Sequence, residues 1–242
     1  MHCIMSKRKA PHERNLRRNS QSDAGRRCGR AEAASSFEPG RGVNLEGRKT
    51  GKRENMLPKT IIHLLSGGLD STTMLYDLVG QGHRVHALLF DYRQRHKQEL
   101  QWAITHAKRC DVLWSILDLP DLGGLTEQSW VVPNRNAVFL SAAVNVACKA
   151  GADTVTIGCN AEDAECFPDC RKAFLDAMNA AVTAAGYGVE ICAPYLDWPK
   201  WKIGGLAREM GIRPNEIWTC YWGGAAPCGQ CPACQKLQGA FK

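Results

Sequence analysis

The sequence predicts an α/β protein: a doubly wound parallel sheet of five strands with a C-terminal tail that binds zinc. Three observations support this fold class. Short β-rich runs alternate with helical patterns from residue 59 onward, a Ser/Gly turn follows the first of these runs, and four cysteines lie close together near the C-terminus. Strands that alternate with helices form βαβ units, whose parallel sheets carry helices on both faces.

The first half of this pattern contains three predicted strands. They are TIIHLL at 60–65, RVHALLFDY at 84–92 and DVLWSILDL at 111–119, and each is rich in aliphatic or aromatic residues. A helix at 71–80 follows the first strand and stops at the glycines of GQGH. An amphipathic helix at 96–110 connects the second strand to the third.

The second half continues the alternation. A helix at 134–151 ends in glycine and leads to a strand at 153–158, and a long helix at 168–186 leads to a strand at 189–195. The last predicted helix is 199–211. Ligands of such sheets bind at the carboxyl ends of the strands, so the residues that follow each strand are candidates for the site.

Basic residues are concentrated ahead of the predicted domain. The chain has 31 Lys and Arg against 24 Asp and Glu, and 14 and 6 of these lie in residues 1–55, which leaves a net charge of −1 on the rest. We interpret residues 1–57 as a disordered basic leader, or as residues upstream of a true start at Met56. The α/β domain is then expected at 58–212 and the zinc-binding tail at 213–242.

Composition limits the location and the partners. No run approaches the ~18 apolar residues of a membrane helix, so we expect no membrane insertion. The 12 cysteines, without a secretion signal, indicate reduced thiols and a cytoplasmic location. The domain itself carries no basic excess, so we expect no direct contact with nucleic acid.

The turn SGGLDS at 66–71 is predicted to bind a phosphate. Its glycines let a ligand approach the backbone, and the helix that begins there attracts anions. It matches neither the Walker loop nor the dinucleotide loop. Because Asp70 would repel a bare phosphate, we expect Mg²⁺ between its carboxylate and the phosphate oxygens. The alternative is a plain strand-to-helix turn in which Asp70 caps the helix.

The four C-terminal cysteines have the spacing C-x7-C-x2-C-x2-C. Four thiolates so close together in a reducing compartment favour a tetrahedral, structural Zn²⁺. An Fe–S cluster and a sulfur-carrying catalytic cysteine are the alternatives that the spacing leaves open. The predicted ligands are Cys220, Cys228, Cys231 and Cys234.

Several of these motifs resemble those of a known enzyme superfamily and of one family within it. SGGLDS resembles the SGGxDS signature of the PP-loop ATP pyrophosphatases, which adenylate a carbonyl or carboxyl oxygen and release pyrophosphate. Five further segments are similar, in the same order, to those of the 7-cyano-7-deazaguanine synthase family of queuosine biosynthesis. They are FDYRQRHKQEL, VPNRNAVFLSAA, IGCNAEDAECFPDCRKAF, PYLDWPKWKI and CGQCPACQKLQGAF, and the match covers nearly all of 59–242.

The resemblance implies an adenine nucleotide alpha hydrolase-like fold and an ATP-dependent ligase. The implied substrates are 7-carboxy-7-deazaguanine, ammonia and ATP. The product is 7-cyano-7-deazaguanine, formed through adenylated carboxylate and amide intermediates. Mg²⁺ is implied at the loop and Zn²⁺ at the tail, and the superfamily suggests a homodimer. The alternatives are a tRNA thiolation enzyme, another amidoligase of the same superfamily, or a zinc-bearing nucleic-acid binder.

The resemblance also assigns roles to residues. We expect Arg135 to contact the nucleotide phosphates or the substrate carboxylate, with Ser66, Asp70 and Ser71 as the other catalytic candidates. Ordinary helix-start chemistry is the alternative for Arg135, and a solvated turn is the alternative for Arg93. The expected nucleotide-binding residues are Leu65, Ser66, Gly67, Gly68, Leu69, Asp70, Ser71 and Thr72. The expected substrate-binding residues are Arg93, Asn136, Asp163, Phe167, Asp169 and Arg171.

The sequence departs from the family pattern in two places. Asn134 stands where the family usually has Gly, and the loop at 121–131 is shorter than expected. The shorter loop leaves open a variant that acts on a related deazaguanine or stops at the amide.

Overall fold

Five parallel strands form the sheet of this protein, seen in a computed structural model that describes residues 57–119, 122 and 131–242. Most of the predicted leader and of the loop at 121–131 lies outside the described residues. The strand order is β3-β2-β1-β4-β5. The strands are β1 Thr60–Leu64, β2 Arg84–Asp91, β3 Leu113–Asp118, β4 Thr154–Thr156 and β5 Glu190–Cys192.

Helices cover both faces of this sheet, which confirms the predicted doubly wound α/β class. In the described residues the α-helices are α1 Leu69–Gly80, α2 Gln98–Arg109, α3 Arg135–Ala150, α4 Ala161–Cys166, α5 Lys172–Ala184, α6 Lys200–Glu209 and α7 Pro232–Ala240. Two 3-10 turns lie at Pro168–Cys170 and Pro214–Glu216. Within this part of the chain, no helix has both the length and the apolar character needed to cross a membrane.

The core consists of two layers, one on each face of the sheet. On β1, Ile61 packs with α1, α2 and α6, whereas its neighbour Ile62 packs with α3 and α5. This alternation follows from the two-residue period of a strand that is buried on both faces. Burial of β1 on both sides fixes the position of the turn that follows it.

One predicted helix is wrong in its extent, and two helices were not predicted. The segment 168–186 is not continuous: a 3-10 turn covers Pro168–Cys170, Arg171 is extended with ψ 153°, and α5 begins only at Lys172. The short α4 begins after Asn160, whose side chain accepts the N–H groups of Glu162 and Asp163. The other unpredicted helix is α7 in the tail.

The order of the strands locates a crevice. From β1 the chain proceeds outward through β2 to β3, and then returns to place β4 on the other side of β1. In open α/β sheets, ligands bind outside the carboxyl ends of the strands at such a reversal. The SGGLDS turn leaves β1 at this point.

Candidate active site

The nucleotide loop, residues 66–71, is held against its surroundings by close backbone contacts. Gly67 has φ +82°, and a Cβ there would clash with the carbonyl oxygen of Glu99 in α2. Gly158, which follows β4, would place a Cβ 3.0 Å from the backbone nitrogen of Ser71. Glycine at both positions lets α2 and the β4 end close on the loop. Within it, the Ser66 and Ser71 hydroxyl oxygens are 3.0 Å apart.

A buried histidine fixes the start of α1. His63 of β1 places Nδ1 2.8 Å from the Thr156 hydroxyl of β4 and Nε2 2.8 Å from the carbonyl oxygen of Ser71. Burial lowers the pKa of His63 to about 4, so the ring is neutral at pH 7. Because a carbonyl only accepts, Nε2 carries the proton and Nδ1 accepts from the threonine. The sequence offered no sign of this role, since His63 lies inside an apolar strand.

A cavity of about 300 Å³ opens beside the nucleotide loop at the carboxyl ends of the strands. It collects side chains from the loop, β2, α2, α3, the segment after β4, α6 and the tail. The predicted residues that line it are Leu65, Ser66, Gly68, Leu69, Asp70, Ser71, Arg135, Asn136, Asp163, Phe167 and Asp169. Most of the predicted site is therefore brought together.

Asp70 has a cationic partner that the sequence did not predict. Its Oδ2 accepts from the Lys200 ammonium at 2.8 Å and from the Asn160 amide at 3.1 Å. Its Oδ1 is buried without a partner among the described residues, which makes it a candidate metal ligand. Burial alone would lower the pKa of Lys200, but the carboxylates of Asp70 and Asp163 raise it above its ordinary value. Lys200 therefore stays charged.

Arg135 begins α3 and lies over two aromatic rings of the cavity. Its guanidinium carbon is 5.8 Å from the Tyr92 ring centroid and 5.7 Å from that of Phe139. One Nη donates to the Tyr92 hydroxyl at 3.2 Å, whereas Nε is buried and has no partner in the described residues. A buried, unpaired guanidinium N–H in a cavity indicates a site for an anionic or carbonyl ligand.

Another part of the cavity wall pairs α3 with the turn after α4. The backbone N–H of Asn136 donates to a carboxylate oxygen of Asp169 at 3.4 Å, and its amide donates to the Asp169 carbonyl oxygen at 3.2 Å. The same amide is 3.4 Å from the Cys170 sulfur. Asn136 and Asp169 thus hold each other in place at the cavity wall.

Four predicted residues do not line the cavity. Arg93 lies beyond the end of β2, where it donates to Asp118 at 3.0 Å, and Arg171 donates to the carbonyl oxygen of Ala164 at 2.8 Å. Both arginines are exposed and engaged elsewhere. Gly67 faces α2, and Thr72 is buried in α1.

The four tail cysteines converge on one point. The Sγ atoms of Cys220, Cys228, Cys231 and Cys234 all lie within 4.8 Å of one another. The Cys228 and Cys234 sulfurs are 4.0 Å apart. A Zn–S bond of about 2.3 Å places tetrahedral sulfurs about 3.8 Å apart, so the cluster fits a zinc-sized ion. The backbone N–H groups of Gln230 and Cys231 lower the pKa of Cys228 to about 6, whereas burial raises the pKa of Cys234 to about 12. A bound metal would displace the remaining thiol protons.

The cysteine cluster lies beside the cavity without lining it. The tail instead contacts the active-site segments through its backbone. Trp218 donates its backbone N–H to the carbonyl oxygen of Gly67 at 3.0 Å, and the Gly223 carbonyl oxygen accepts from the Gln98 amide at 2.8 Å. The segment that carries the cluster therefore contacts the nucleotide loop directly.

The fold and this loop define the chain as a PP-loop protein of the adenine nucleotide alpha hydrolase-like class. Solved structures of the same fold include the U34-tRNA thiolase NcsA of Methanococcus maripaludis with its [4Fe-4S] cluster, at a TM-score of 0.51 and 14% identity over 76% of this chain and 64% of that chain. Another is the NMN synthetase of Francisella tularensis, at a TM-score of 0.50 and 14% identity over 76% and 83% of the two chains. At such identities the likeness concerns the fold alone.

Sequence comparison gives the family. The model of the queuosine biosynthesis protein QueC matches residues 60–131 and 125–242, and the chain belongs to this family. It is 38% identical to the 7-cyano-7-deazaguanine synthase of Caldicellulosiruptor bescii over 74% of this chain and 90% of the relative. It is 37% identical to that of Archaeoglobus fulgidus over 74% and 84%. These matches confirm the resemblance on which the site residues were predicted.

Proposed function

We propose that this chain converts 7-carboxy-7-deazaguanine and ammonia to 7-cyano-7-deazaguanine at the expense of ATP. The relatives that bear this name match it over three quarters of its length. The observation that carries the proposal is the cavity at the β1/β4 reversal. The nucleotide loop, Asp70 and Arg135 line this one cavity, and Oδ1 of Asp70 and Nε of Arg135 are buried without a partner among the described residues.

The chemistry accounts for a pyrophosphate-releasing loop. A carboxylate is a poor electrophile, so its oxygen must first become a leaving group, and attack on the α-phosphorus of ATP makes it one. Ammonia then displaces AMP to give the amide. The amide oxygen is activated by a second ATP in the same way, and loss of this oxygen with AMP and of two N–H protons leaves the nitrile. One nucleotide site can therefore serve both steps.

The nucleotide loop is proposed to hold the pyrophosphate as it leaves. The Ser66 and Ser71 hydroxyls and the first N–H groups of α1 are donors for its oxygens, and they stabilise the charge that develops there. Lys200 adds a fixed positive charge beside Asp70. Mg²⁺ would be held by the unpaired Oδ1 of Asp70 and would neutralise phosphate charge when bound.

The deazaguanine is proposed to bind at the part of the cavity wall formed by α3 and the segment after β4. Phe167 offers a ring face for stacking, the carboxylates of Asp163 and Asp169 accept from its donor edge, and Asn136 holds Asp169. Arg135, which lines the same cavity, is proposed to bind the reacting carboxylate. Arg93 and Arg171 do not line this cavity. Contacts of these two arginines with the substrate stay predictions from the resemblance alone.

We propose that the cysteine cluster holds a structural Zn²⁺, with the α/β domain at 58–212 and the tail at 213–242. Four converging thiolates leave no open position for a catalytic water, and the cluster does not line the cavity. An Fe–S cluster is the alternative, and metal analysis of the purified protein decides between the two. Bound zinc would hold the backbone that contacts Gly67.

We further propose that the enzyme is cytoplasmic and forms a homodimer. A reducing compartment keeps the metal-binding thiols free of disulfides. The support for a dimer is the edge strand β3, on which Leu113 is 77% exposed and Ile116 is 40% exposed. Sedimentation of the wild type and of Ile116→Lys tests this face, since only a dimer that uses it would dissociate.

The proposed reaction is tested by measuring pyrophosphate release with each component omitted in turn. We expect release to require the carboxydeazaguanine, and sustained turnover to require ammonium as well. ATP cleavage at one unchanged rate, whatever the acceptor, would contradict the proposal.

A further inference from the structure

Four carboxyl side chains line the cavity, and their partners differ. Asp70 and Asp163 both face the Lys200 ammonium, and Asp169 is held at the start of α3 by Asn136. These three carboxylates already accept hydrogen bonds, from the Lys200 ammonium, the Asn160 amide and the Asn136 backbone N–H respectively. The fourth is Glu99, which accepts from the neutral Gln94 amide and has the His96 ring beside it.

Glu99 belongs to α2 and is enclosed by the segment that follows β2. The Gln94 amide donates to Oε1 at 2.9 Å, and the His96 ring places Nε2 3.4 Å from Oε2. Gln94 is fixed in turn, because it donates to the Phe90 carbonyl oxygen and accepts from the Tyr92 backbone N–H. The Glu99 carboxyl is thus oriented by a rigid turn.

Burial makes this group suited to proton exchange near neutral pH. Burial raises the pKa of Glu99 to about 7, against the hydrogen bond from Gln94 and the charge of Arg135. Burial, with a smaller contribution from Arg135, lowers the pKa of His96 to about 4, so its ring is neutral at pH 7. A neutral ring that carries its proton on Nδ1 can accept the proton of Glu99 at Nε2 and release the Nδ1 proton to solvent.

Glu99 also lies close to both the nucleotide loop and Arg135. Its backbone carbonyl contacts Gly67 of the nucleotide loop, and its side chain lies near Arg135. Both Glu99 and His96 line the cavity. The His96 side chain is 21% exposed and the Glu99 side chain 14% exposed, so solvent reaches the imidazole.

We propose that Glu99 is the general base of the ammonia step and that His96 passes its proton to solvent. This inference rests on the proposed function and adds a catalytic residue to it. As the nitrogen lone pair forms the C–N bond to the acyl carbon, one N–H proton moves to the Glu99 carboxylate. The C–O bond to the adenylate breaks, and AMP leaves with both electrons of that bond. The products are the amide, AMP and protonated Glu99.

Adenylation itself needs no general base. Loss of Glu99 should therefore slow the ammonia step and spare adenylation, whereas loss of a substrate-binding residue should slow both. In Glu99→Gln we expect carboxydeazaguanine-dependent exchange of labelled pyrophosphate into ATP to stay within about threefold of the wild type. Ammonia-dependent turnover should fall at least about 100-fold, the typical contribution of a general base. Hydroxylamine, a neutral and stronger nucleophile at pH 7, should still trap the acyl adenylate as hydroxamate in this variant.

Two further variants complete the experiment. Glu99→Asp keeps a carboxylate but retracts it, so its ammonia-dependent turnover should lie between those of the wild type and Glu99→Gln. Glu209→Gln makes the same change at the exposed end of α6 and should leave all three readouts unchanged.

The outcomes distinguish the possibilities. A parallel loss of exchange and turnover in both Glu99 variants, or a rise in the KM for the carboxydeazaguanine with kcat unchanged, would overturn the role as a base in favour of a structural or substrate-binding role. Full ammonia-dependent turnover in Glu99→Gln would overturn it as well. If the wild type shows no carboxydeazaguanine-dependent exchange of pyrophosphate into ATP, the proposed function itself is refuted.

Discussion

The backbone N–H of Trp218 donates to the carbonyl oxygen of Gly67 at 3.0 Å, and this hydrogen bond connects the cysteine-bearing tail to the nucleotide loop. Trp218 is buried with Cys220, Cys231 and Cys234 in a small core of its own. The geometry of the loop thus depends on the tail, although some 150 residues separate the two in the sequence.

Adding a methyl group at Gly67 tests how tightly the loop is enclosed. Gly67→Ala brings the strain of φ +82° together with a clash against the Glu99 carbonyl oxygen, whereas Gly82→Ala brings the same strain at φ +83° into open space. We expect Gly82→Ala to lose about 1 kcal/mol of unfolding free energy and Gly67→Ala about 1–3 kcal/mol more. Urea unfolding measures both, and equal losses would contradict the enclosure.

Removing a cysteine ligand tests the metal centre. We expect Cys231→Ser to lower the metal content, the Tm and the turnover together, because a metal that holds the tail contributes on the order of several kcal/mol to folding. Cys148→Ser, at an exposed cysteine of α3, is the matched control and should change none of these. A stable, metal-replete but inactive Cys231→Ser protein would indicate a catalytic cysteine instead.

Replacing Lys200 tests the ion pair with Asp70. Both side chains are at most 15% exposed, so Lys200→Met leaves a buried carboxylate without its cation, and we expect a loss of about 3 kcal/mol in unfolding free energy. Pyrophosphate release should fall by about 100-fold or more, because the phosphates lose a fixed positive charge. Lys149→Met, an exposed change in α3, is the control. If Lys200→Met releases pyrophosphate at the wild-type rate, a role of Lys200 in phosphate binding is excluded.

The pH dependence of stability tests the environment of Glu99. Its folded pKa of about 7 lies above the ordinary 4.5, so the folded state binds the proton more tightly, and stability is lost as pH rises from 4.5 to about 7. Glu99→Gln lacks this ionisation. Its unfolding free energy relative to the wild type should therefore rise by up to about 3 kcal/mol across that range. His96 and Arg135, the charged or titratable neighbours of Glu99, are present in both proteins. A difference in unfolding free energy between the two proteins that does not change with pH would contradict the burial of Glu99.

The sequence predicted the fold because its local signals agree with the tertiary structure. Buried parallel strands leave apolar runs, and the glycines and serines of the nucleotide loop leave a motif between β1 and α1. The break at Arg171 was missed because the flanking residues continue a helical pattern, and the sequence does not show that Pro168–Cys170 forms a separate turn.

Parts of the site could not be predicted, because they depend on contacts between distant segments. Lys200 reaches Asp70 across 130 residues, and in the sequence it reads only as the start of a helix. The sequence does not show that Glu99 lines the site, because its surroundings depend on the turn that carries Gln94 and His96. Arg93 shows the reverse case: its position after β2 suggested the site, but its side chain turns to Asp118.

The mass of the product tests the central claim most directly. The full chain is incubated with 7-carboxy-7-deazaguanine, ATP and ¹⁵N-labelled ammonium, and the products are separated and analysed by mass spectrometry. We expect the nitrile to carry one labelled nitrogen and to form with the release of two pyrophosphates for each molecule. Accumulation of the labelled amide as the end product, or recovery of the unchanged acid while ATP is consumed, would contradict the account.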